Sequence, residues 1–122
     1  DMRLPIQYAF SYPERYDNAF GQLDFVKAGM LTFLAPDTEA FPALKIAVEC
    51  GRQGGTLPCA FNAANEEAVY AFLDGKIKYM DIVKTIEHVV GRHQNILQPV
   101  LEDIENADAS ARCEAKDFLS NL

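Results

Sequence analysis

The sequence is poor in the residues that metal sites and disulfide frameworks require. Of its 122 residues, only three are cysteine and two are histidine. Cys50, Cys59 and Cys113 are odd in number and widely spaced, which excludes a disulfide framework. No two of them have the short spacing that a zinc site requires. His88 and His93 lie five positions apart on a predicted helix, so they point in different directions and do not converge on a metal. We therefore predict a reduced, intracellular chain that holds no metal.

Positive charge is also scarce. The 11 Lys and Arg residues are outnumbered by 18 Asp and Glu, which gives a net charge of −7. Nucleic-acid binding needs clustered basic side chains, and here they are scattered. No apolar run approaches the roughly 20 residues of a membrane-spanning helix. The composition predicts neither a nucleic-acid nor a membrane partner, while a hydrophobic content of 49% is enough for a globular core.

Motifs that carry catalysis are missing as well. Ser11, Ser110 and Ser120 have no surrounding sequence of the nucleophile-elbow kind, so a small independent hydrolase is disfavoured. The glycine-rich segment Gly51–Thr56 lacks the Lys-Ser/Thr ending of a nucleotide-binding loop and follows a predicted helix, which favours a helix stop. The residues alone therefore predict no catalytic residue.

What the sequence does contain is helical periodicity from Phe41 onward. On the first predicted helix, the apolar face is formed by Leu44, Ala47, Val48 and Gly51. The predicted helical segments run from Phe41 to the Gly51–Gly55 region, from Pro58 to Leu73, from Met80 to Gly91, over a short turn from Pro99 to Glu105, and through a last helix that Asp108 would cap. The fold class is predicted as mainly α, with a helical bundle over residues 41–122.

Residues 1–40 are predicted to form an arm of mixed structure. A short helix is expected from Arg3 to about Tyr12. Leu23–Phe25 and Leu31–Phe33 alternate apolar and polar residues, which predicts two short extended segments. Two such strands are marginal in water by themselves. We therefore expect them to lie against a body of protein that this chain contains only in part.

An alanine-rich segment carries three polar residues that need an explanation. Asn62, Asn65 and Glu66 interrupt the apolar run from Leu57 to Val69, as does Glu67, which a solvent-facing position explains. Asn is unfavourable inside a helix, because its short amide competes for backbone hydrogen bonds. We predict a structural hydrogen-bonding network formed by these three side chains.

Several motifs in a fixed order resemble the 1-deoxy-D-xylulose 5-phosphate reductoisomerase family. They cover nearly the whole chain, although the part after about Gly91 matches only in general character. The motifs are Asp1–Ala9, Leu23–Phe25, Leu31–Phe33, Pro36–Asp37, Phe41–Lys45, Gly54–Thr56, Asn62–Glu66, Ala71–Leu73, Lys76–Ile77 and Asp81–Ile82.

The resemblance implies an enzyme that makes 2-C-methyl-D-erythritol 4-phosphate for non-mevalonate isoprenoid synthesis, using NADPH and magnesium or manganese. In that family, an NADPH-binding domain and a catalytic domain precede a C-terminal helical domain, and the subunits form a homodimer. Residues 1–40 would then be the end of the catalytic domain with a connecting arm. Residues 41–122 would be the helical domain. The expected location is the cytoplasm, or the plastid stroma for a plant or algal protein.

One cofactor-binding residue follows from the resemblance. The family's Asp-Met-Arg turn brings its methionine near the nicotinamide, and this position is Met2. A flexible thioether suits packing against a flat ring, although a core methionine would explain Met2 equally well. The catalytic and metal-binding residues would precede this chain, so the piece alone would be inactive. The alternative is a free-standing helical interaction module.

Overall fold

The computed structural model describes residues 2–19, 21 and 23–122, and within them every regular element is a helix. The prediction of a mainly α fold is confirmed. The chain divides into two compact units, Asp1–Ala35 and Pro36–Leu122. In the first unit lie α1 (Arg3–Ser11) and α2 (Phe25–Ala28), and in the second α3 (Pro42–Gln53), α4 (Leu57–Leu73), α5 (Tyr79–Arg92) and α6 (Leu101–Leu119). No helix among the described residues has the length and apolar character needed to cross a bilayer.

The second unit is a bundle in which α4 packs on both α5 and α6. Its core combines small side chains on α4 and α6 with branched ones on α5. Alanine leaves little bulk between two backbones, so α4 and α6 can approach closely. The buried core cluster consists of Ala60, Ala63, Ala64, Ile86, Val89, Ala111 and Ala115.

Local chemistry sets the ends of the bundle helices. Gly54 ends α3 with a φ of 67°, and its N–H donates to the Cys50 carbonyl at 3.0 Å. This positive φ is costly for any residue with a side chain. Pro58 lies in the first turn of α4, where no backbone N–H is missed. The Asp81 carboxylate accepts a hydrogen bond from the Lys78 N–H at 3.0 Å and so caps α5.

The C-terminal helix differs from the prediction. Asp108 is not an N-cap, and the segment from Pro99 to Glu105 is not a separate turn, because both fall within or just before the single helix α6. The helix begins after Val100, whose N–H donates to the Asp103 carboxylate at 3.0 Å. Asp108 instead lies mid-helix, where its carboxylate binds the side chain of Arg112 one turn later.

The predicted extended segments of the first unit also require correction. Asp24 Oδ1 accepts hydrogen bonds from the N–H groups of Val26 and Lys27 at 3.0 and 3.1 Å, and so caps the short helix α2. Phe25 therefore begins a helix instead of ending a strand. Leu31–Phe33 lies in irregular backbone. At Leu23–Phe25, the cap formed by Asp24 therefore prevails over the apolar–polar alternation that predicted an extended segment.

The apolar face of α3 is only partly covered. Leu44 and Val48 remain 46% and 45% exposed, although Cys50 on the same helix is buried. Helix α5, whose periodicity is similar, buries Val83, Ile86 and Val89. The bundle therefore leaves one apolar helix face half open to solvent.

Candidate functional site

A buried polar clasp joins the loop before α4 to the loop after α5. Thr56 is fully buried, and its backbone N–H donates to Asn95 Oδ1 at 2.9 Å and to the Ile96 carbonyl at 3.1 Å. Asn95 Nδ2 donates to the Gly54 carbonyl at 3.2 Å, and the Ile96 N–H donates to Thr56 Oγ1 at 3.1 Å. The clasp therefore satisfies backbone groups of both loops with two side chains.

His93 completes the clasp from the end of α5. Its Nε2 lies 2.8 Å from Thr56 Oγ1, whereas the alternative acceptor, Asn95 Oδ1, lies 3.4 Å from that hydroxyl. Burial lowers the pKa of His93, which favours the neutral ring. A neutral ring with a free Nε2 can accept the Thr56 hydroxyl hydrogen. The backbone N–H of His93 donates to the Val89 carbonyl at 3.0 Å, and α5 ends there.

Gly55 allows the two loops to meet. Its φ is 66°, and a Cβ atom at this position would overlap Asn95 Oδ1 and the Ile96 carbonyl oxygen. Only glycine therefore fits both the backbone conformation and the space. The glycine-rich segment, interpreted from the sequence as a helix stop, is also a point of close approach between loops.

The Thr56–His93 pair is not suited to nucleophilic catalysis. Its spacing of 2.8 Å is that of a nucleophile and a base. However, the Thr56 side chain is inaccessible to solvent and already accepts the Ile96 N–H. A substrate cannot reach the hydroxyl, so the pair acts as a structural hydrogen bond.

A second polar cluster joins α4 to α6 around Arg112. Its Nε and Nη2 bind the Asp108 carboxylate at 2.7 and 3.1 Å, and Nη2 also binds Glu66 Oε2 at 2.7 Å. Its Nη1 binds Glu67 Oε1 at 3.3 Å. Asn62 Nδ2 donates to the other oxygen of Glu66 at 3.2 Å. One guanidinium thus connects carboxylates from two helices.

The electrostatics of this cluster favour the ionised forms. Hydrogen bonds from Arg112 and then Asn62 lower the pKa of Glu66. The carboxylates of Asp108 and Glu66 raise the pKa of the Arg112 guanidinium. Both shifts favour the charged forms of Glu66 and Arg112, so this pair links α4 to α6 through a charge-assisted hydrogen bond.

The structure separates the predicted site residues. Asn62 and Glu66 meet in the Arg112 cluster, but Asn65 lines a different, largely apolar depression beside Phe41 and Tyr79. Met2 precedes α1 in the other unit, and it is 71% exposed.

The sequence did not reveal the clasp residues Thr56, His93 and Asn95. Thr56 and Asn95 lie 39 positions apart, so no local periodicity links them. The Gly-Gly-Thr segment before α4 was the only local signal. Among residues 2–19, 21 and 23–122, no group of three or more His, Cys, Asp or Glu side chains is arranged to hold a metal ion.

Comparison with known proteins identifies the family. A family model described as the DXP reductoisomerase C-terminal domain matches residues 1–114. The chain belongs to this family. The resemblance drawn from the sequence motifs is therefore confirmed.

Curated DXP reductoisomerases are close to this chain over most of its length. The 1-deoxy-D-xylulose 5-phosphate reductoisomerase of Acetivibrio thermocellus is 54% identical over 112 residues, which cover 92% of this chain and 29% of that protein. The enzyme of the same name from Synechococcus sp. strain JA-2-3B'a(2-13) is 52% identical over 114 residues, covering 93% and 29%.

Solved DXP reductoisomerase structures share the fold. The structure of the Zymomonas mobilis enzyme in complex with NADPH matches with a TM-score of 0.86 and 41% identity, covering all of this chain and 32% of that one. A DOX-P reductoisomerase with fosmidomycin and magnesium matches with a TM-score of 0.85 and 36% identity, covering 98% and 32%. This chain therefore spans just under a third of the length of its relatives.

Proposed function

We propose that this chain is the C-terminal part of an NADPH-dependent reductoisomerase that converts 1-deoxy-D-xylulose 5-phosphate to 2-C-methyl-D-erythritol 4-phosphate. The family match over residues 1–114 carries this proposal. In it, residues 41–122 form a supporting helical domain, and residues 1–40 form the end of the catalytic domain with its connecting arm. The product would serve isoprenoid synthesis by the non-mevalonate route.

The polar chemistry of the bundle supports a bracing role. The Arg112 cluster ties α4 to α6, and the Thr56 clasp ties the loops at the ends of α3 and α5. Within this picture we propose Asn62, Asn65 and Glu66 as structural residues. Asn62 and Glu66 act through Arg112, while Asn65 lines the depression against the start of α3.

We further propose that the longer protein binds NADPH and a magnesium or manganese ion, as a homodimer in the cytoplasm or plastid stroma. Related structures contain NADPH in one case and magnesium in another. Met2 would contact the nicotinamide region. Its exposed position at the start of α1 leaves the thioether free to pack against a ring supplied by another part of the protein.

An NADPH oxidation assay tests the proposal. The protein encoded by the whole parent gene should consume NADPH only when 1-deoxy-D-xylulose 5-phosphate and Mg²⁺ are both present. The 122-residue chain alone should give no rate above the blank. Absence of turnover by the longer protein, or turnover by the short chain, would contradict the proposal.

The same assay tests Met2. In the longer protein, Met2→Ala should raise the KM for NADPH several-fold, because a packing surface for the ring is lost. Met30→Ala is the matched control, since Met30 is 87% exposed in the same unit. Equal KM values for the two variants would assign Met2 to packing alone.

A further inference from the structure

The loop between α5 and α6 depends on hydrogen bonds for its position. None of its residues, 93–100, is buried. The Thr56 N–H donates to the Ile96 carbonyl, and the Ile96 N–H donates to Thr56 Oγ1. Asn95 Nδ2 donates to the Gly54 carbonyl. A loop without buried side chains opens at little free-energy cost once such bonds are lost.

Thr56 has one hydroxyl hydrogen, and the neutral ring of His93 accepts it. The distance from Thr56 Oγ1 to His93 Nε2 is 2.8 Å. The other acceptor, Asn95 Oδ1, lies 3.4 Å from the hydroxyl and already accepts the backbone N–H groups of Thr56 and Leu57 at 2.9 and 3.2 Å. A protonated imidazole carries a hydrogen on both nitrogens and accepts none. Protonation of His93 would therefore leave the hydroxyl hydrogen of the fully buried Thr56 without a good acceptor.

A cleft between α5 and α6 gives solvent access to His93. It has a volume of about 450 Å³, and its charged lining includes Arg92, Asp103 and Glu114. Helices α3 and α4, which the structure describes in full, contribute no charged side chain to this lining. Burial lowers the pKa of the His93 ring. The ring therefore takes up a proton more readily when the loop is open than in the closed clasp.

The contact between α5 and α6 does not involve this loop. Glu114 Oε1 on α6 lies 2.9 Å from Arg92 Nε and 2.7 Å from His88 Nε2, both of which belong to α5. The ring of His88 also stacks on that of Phe118, with the centroids 4.3 Å apart. The two helices therefore have contacts that hold them together when the loop leaves Thr56.

We propose that protonation of His93 opens the α5–α6 loop away from Thr56 while the helical bundle stays folded. The loop is closed at neutral pH and opens as the pH falls. The opening separates the two clasp loops and leaves the core cluster of α4, α5 and α6 in place. It is a property of the bundle itself and does not depend on the proposed function.

Native-state hydrogen exchange of the 122-residue chain tests the opening. The backbone amides of Thr56 and Ile96 report on the clasp, and those of Ile86 and Val89 report on the core. Between about pH 7.5 and 5.5, the protection factors of the clasp amides should fall about three- to tenfold, because the open loop binds the proton more tightly. Urea below the unfolding transition should accelerate exchange of the core amides only, since a local opening exposes little surface.

The two histidines of α5 provide a matched pair of variants. His93→Gln supplies an acceptor that does not titrate, so the protection of its clasp amides should change less than about 1.5-fold over the same pH range. His88→Gln makes the same chemical change at the contact with Glu114 and should keep the full loss of protection. The carboxylates in the cleft ordinarily titrate well below this range, so they do not mimic the effect.

Several results would overturn the proposal. Clasp amides whose protection does not change with pH in wild type would do so, as would a loss that persists in His93→Gln or disappears in His88→Gln. Equal urea dependence of clasp and core amides would also overturn it, because the loop then opens only when the bundle unfolds.

The wild-type chain decides the case if a variant loses its core protection. The fall in clasp protection should level off at the pH at which NMR shows the His93 ring to titrate, because below it the closed and open loops bind the same number of protons. Levelling at any other pH overturns the assignment to His93.

Discussion

At the scale of single residues, Gly55 controls how closely the two clasp loops approach. Its φ of 66° and the nearby Asn95 and Ile96 oxygens leave no room for a side chain. We expect Gly55→Ala to lower the free energy of unfolding of the 122-residue chain by at least about 2 kcal/mol, from backbone strain and displaced hydrogen bonds. Urea denaturation followed by circular dichroism measures this loss.

Gly51→Ala is the control for that substitution. Gly51 lies within α3, and a Cβ there would meet no heavy atom within 4 Å. Alanine is the better helix former, so this variant should gain up to about 1 kcal/mol of stability. If both variants change stability in the same direction, the close approach at Gly55 does not determine the fold of the clasp.

Arg112 is the residue on which the α4–α6 charge cluster depends. Its side chain is 28% exposed, so water screens the interactions and moderates their strength. We expect Arg112→Met to lower the free energy of unfolding by about 1 kcal/mol at low salt, because Glu66, Glu67 and Asp108 lose their shared cation. Denaturation in low salt and in about 1 M NaCl should show that salt reduces the difference in free energy of unfolding between wild type and Arg112→Met.

The low pKa of Glu66 adds a pH dependence to the same comparison. Because the pKa of Glu66 is lower in the folded chain than in the unfolded chain, its ionised carboxylate stabilises the fold at any pH above the unfolded-state pKa. This stabilisation is lost as the pH falls through the folded-state pKa. The difference between wild type and Arg112→Met should therefore shrink on acidification. Arg52→Met, at an arginine without an ion pair among the described residues, should stay within about 0.5 kcal/mol of wild type at every pH.

His93 makes the clasp sensitive to pH in the neutral range. Burial lowers the folded-state pKa below the unfolded value of 6.5. The unfolded chain therefore binds a proton first, so stability is full at higher pH and falls as the pH drops from about 7 through the folded pKa. Wild type should lose up to about 1 kcal/mol more than His93→Gln between pH 7.5 and 5.5. Parallel pH profiles from urea titrations would contradict this assignment.

At the scale of helices, the alanines between α4 and α6 set the spacing of the bundle. Ala111 is 3% exposed and belongs to the core cluster. Ala111→Leu adds volume where none is free, so we expect a loss of about 1–3 kcal/mol. Ala109→Leu, on the exposed side of the same helix, should stay within about 0.5 kcal/mol. Thermal unfolding of both variants distinguishes tight packing from a change in helix propensity.

The helices also show which features a sequence can predict. Periodicity identified α5 because its core face, with Val83, Ile86 and Val89, is made of large apolar residues. It failed at the start of α6, where Asp103 caps the helix from within its first turn and Asp108 resembles a cap but binds Arg112. Local sequence patterns identify apolar helix faces and candidate cap residues, but they do not show which of two candidates caps the helix.

The candidate site was less predictable than the fold. The Asn62–Glu66 hydrogen bond spans four positions and was accessible from the sequence. The contact of Glu66 with Arg112 spans 46 positions, and that of Thr56 with His93 spans 37. Such pairs form only after the helices pack, so a single sequence contains no local signal for them.

At the scale of the whole molecule, the two units differ in how much they bury. None of the described residues of the first unit is buried, and Phe10 and Val26 are 89% and 92% exposed. The second unit contains the buried core cluster. A segment without buried apolar contacts opens at little free-energy cost. The first unit should therefore contribute little to the stability of the 122-residue chain.

Limited proteolysis tests this difference between the units. Trypsin should cleave after Arg15 or Lys27 at least about tenfold faster than at Lys84, which is exposed on α5 within the bundle. The surviving piece should unfold within about 2 °C of the intact chain, because the core cluster remains complete. In the longer protein, cleavage at Arg15 and Lys27 should slow, since the exposed apolar side chains of the first unit would then be covered. Cleavage at Lys84 at a rate similar to that at Lys27 would mean that the bundle lacks independent stability, and its proposed role as a brace would have to be abandoned.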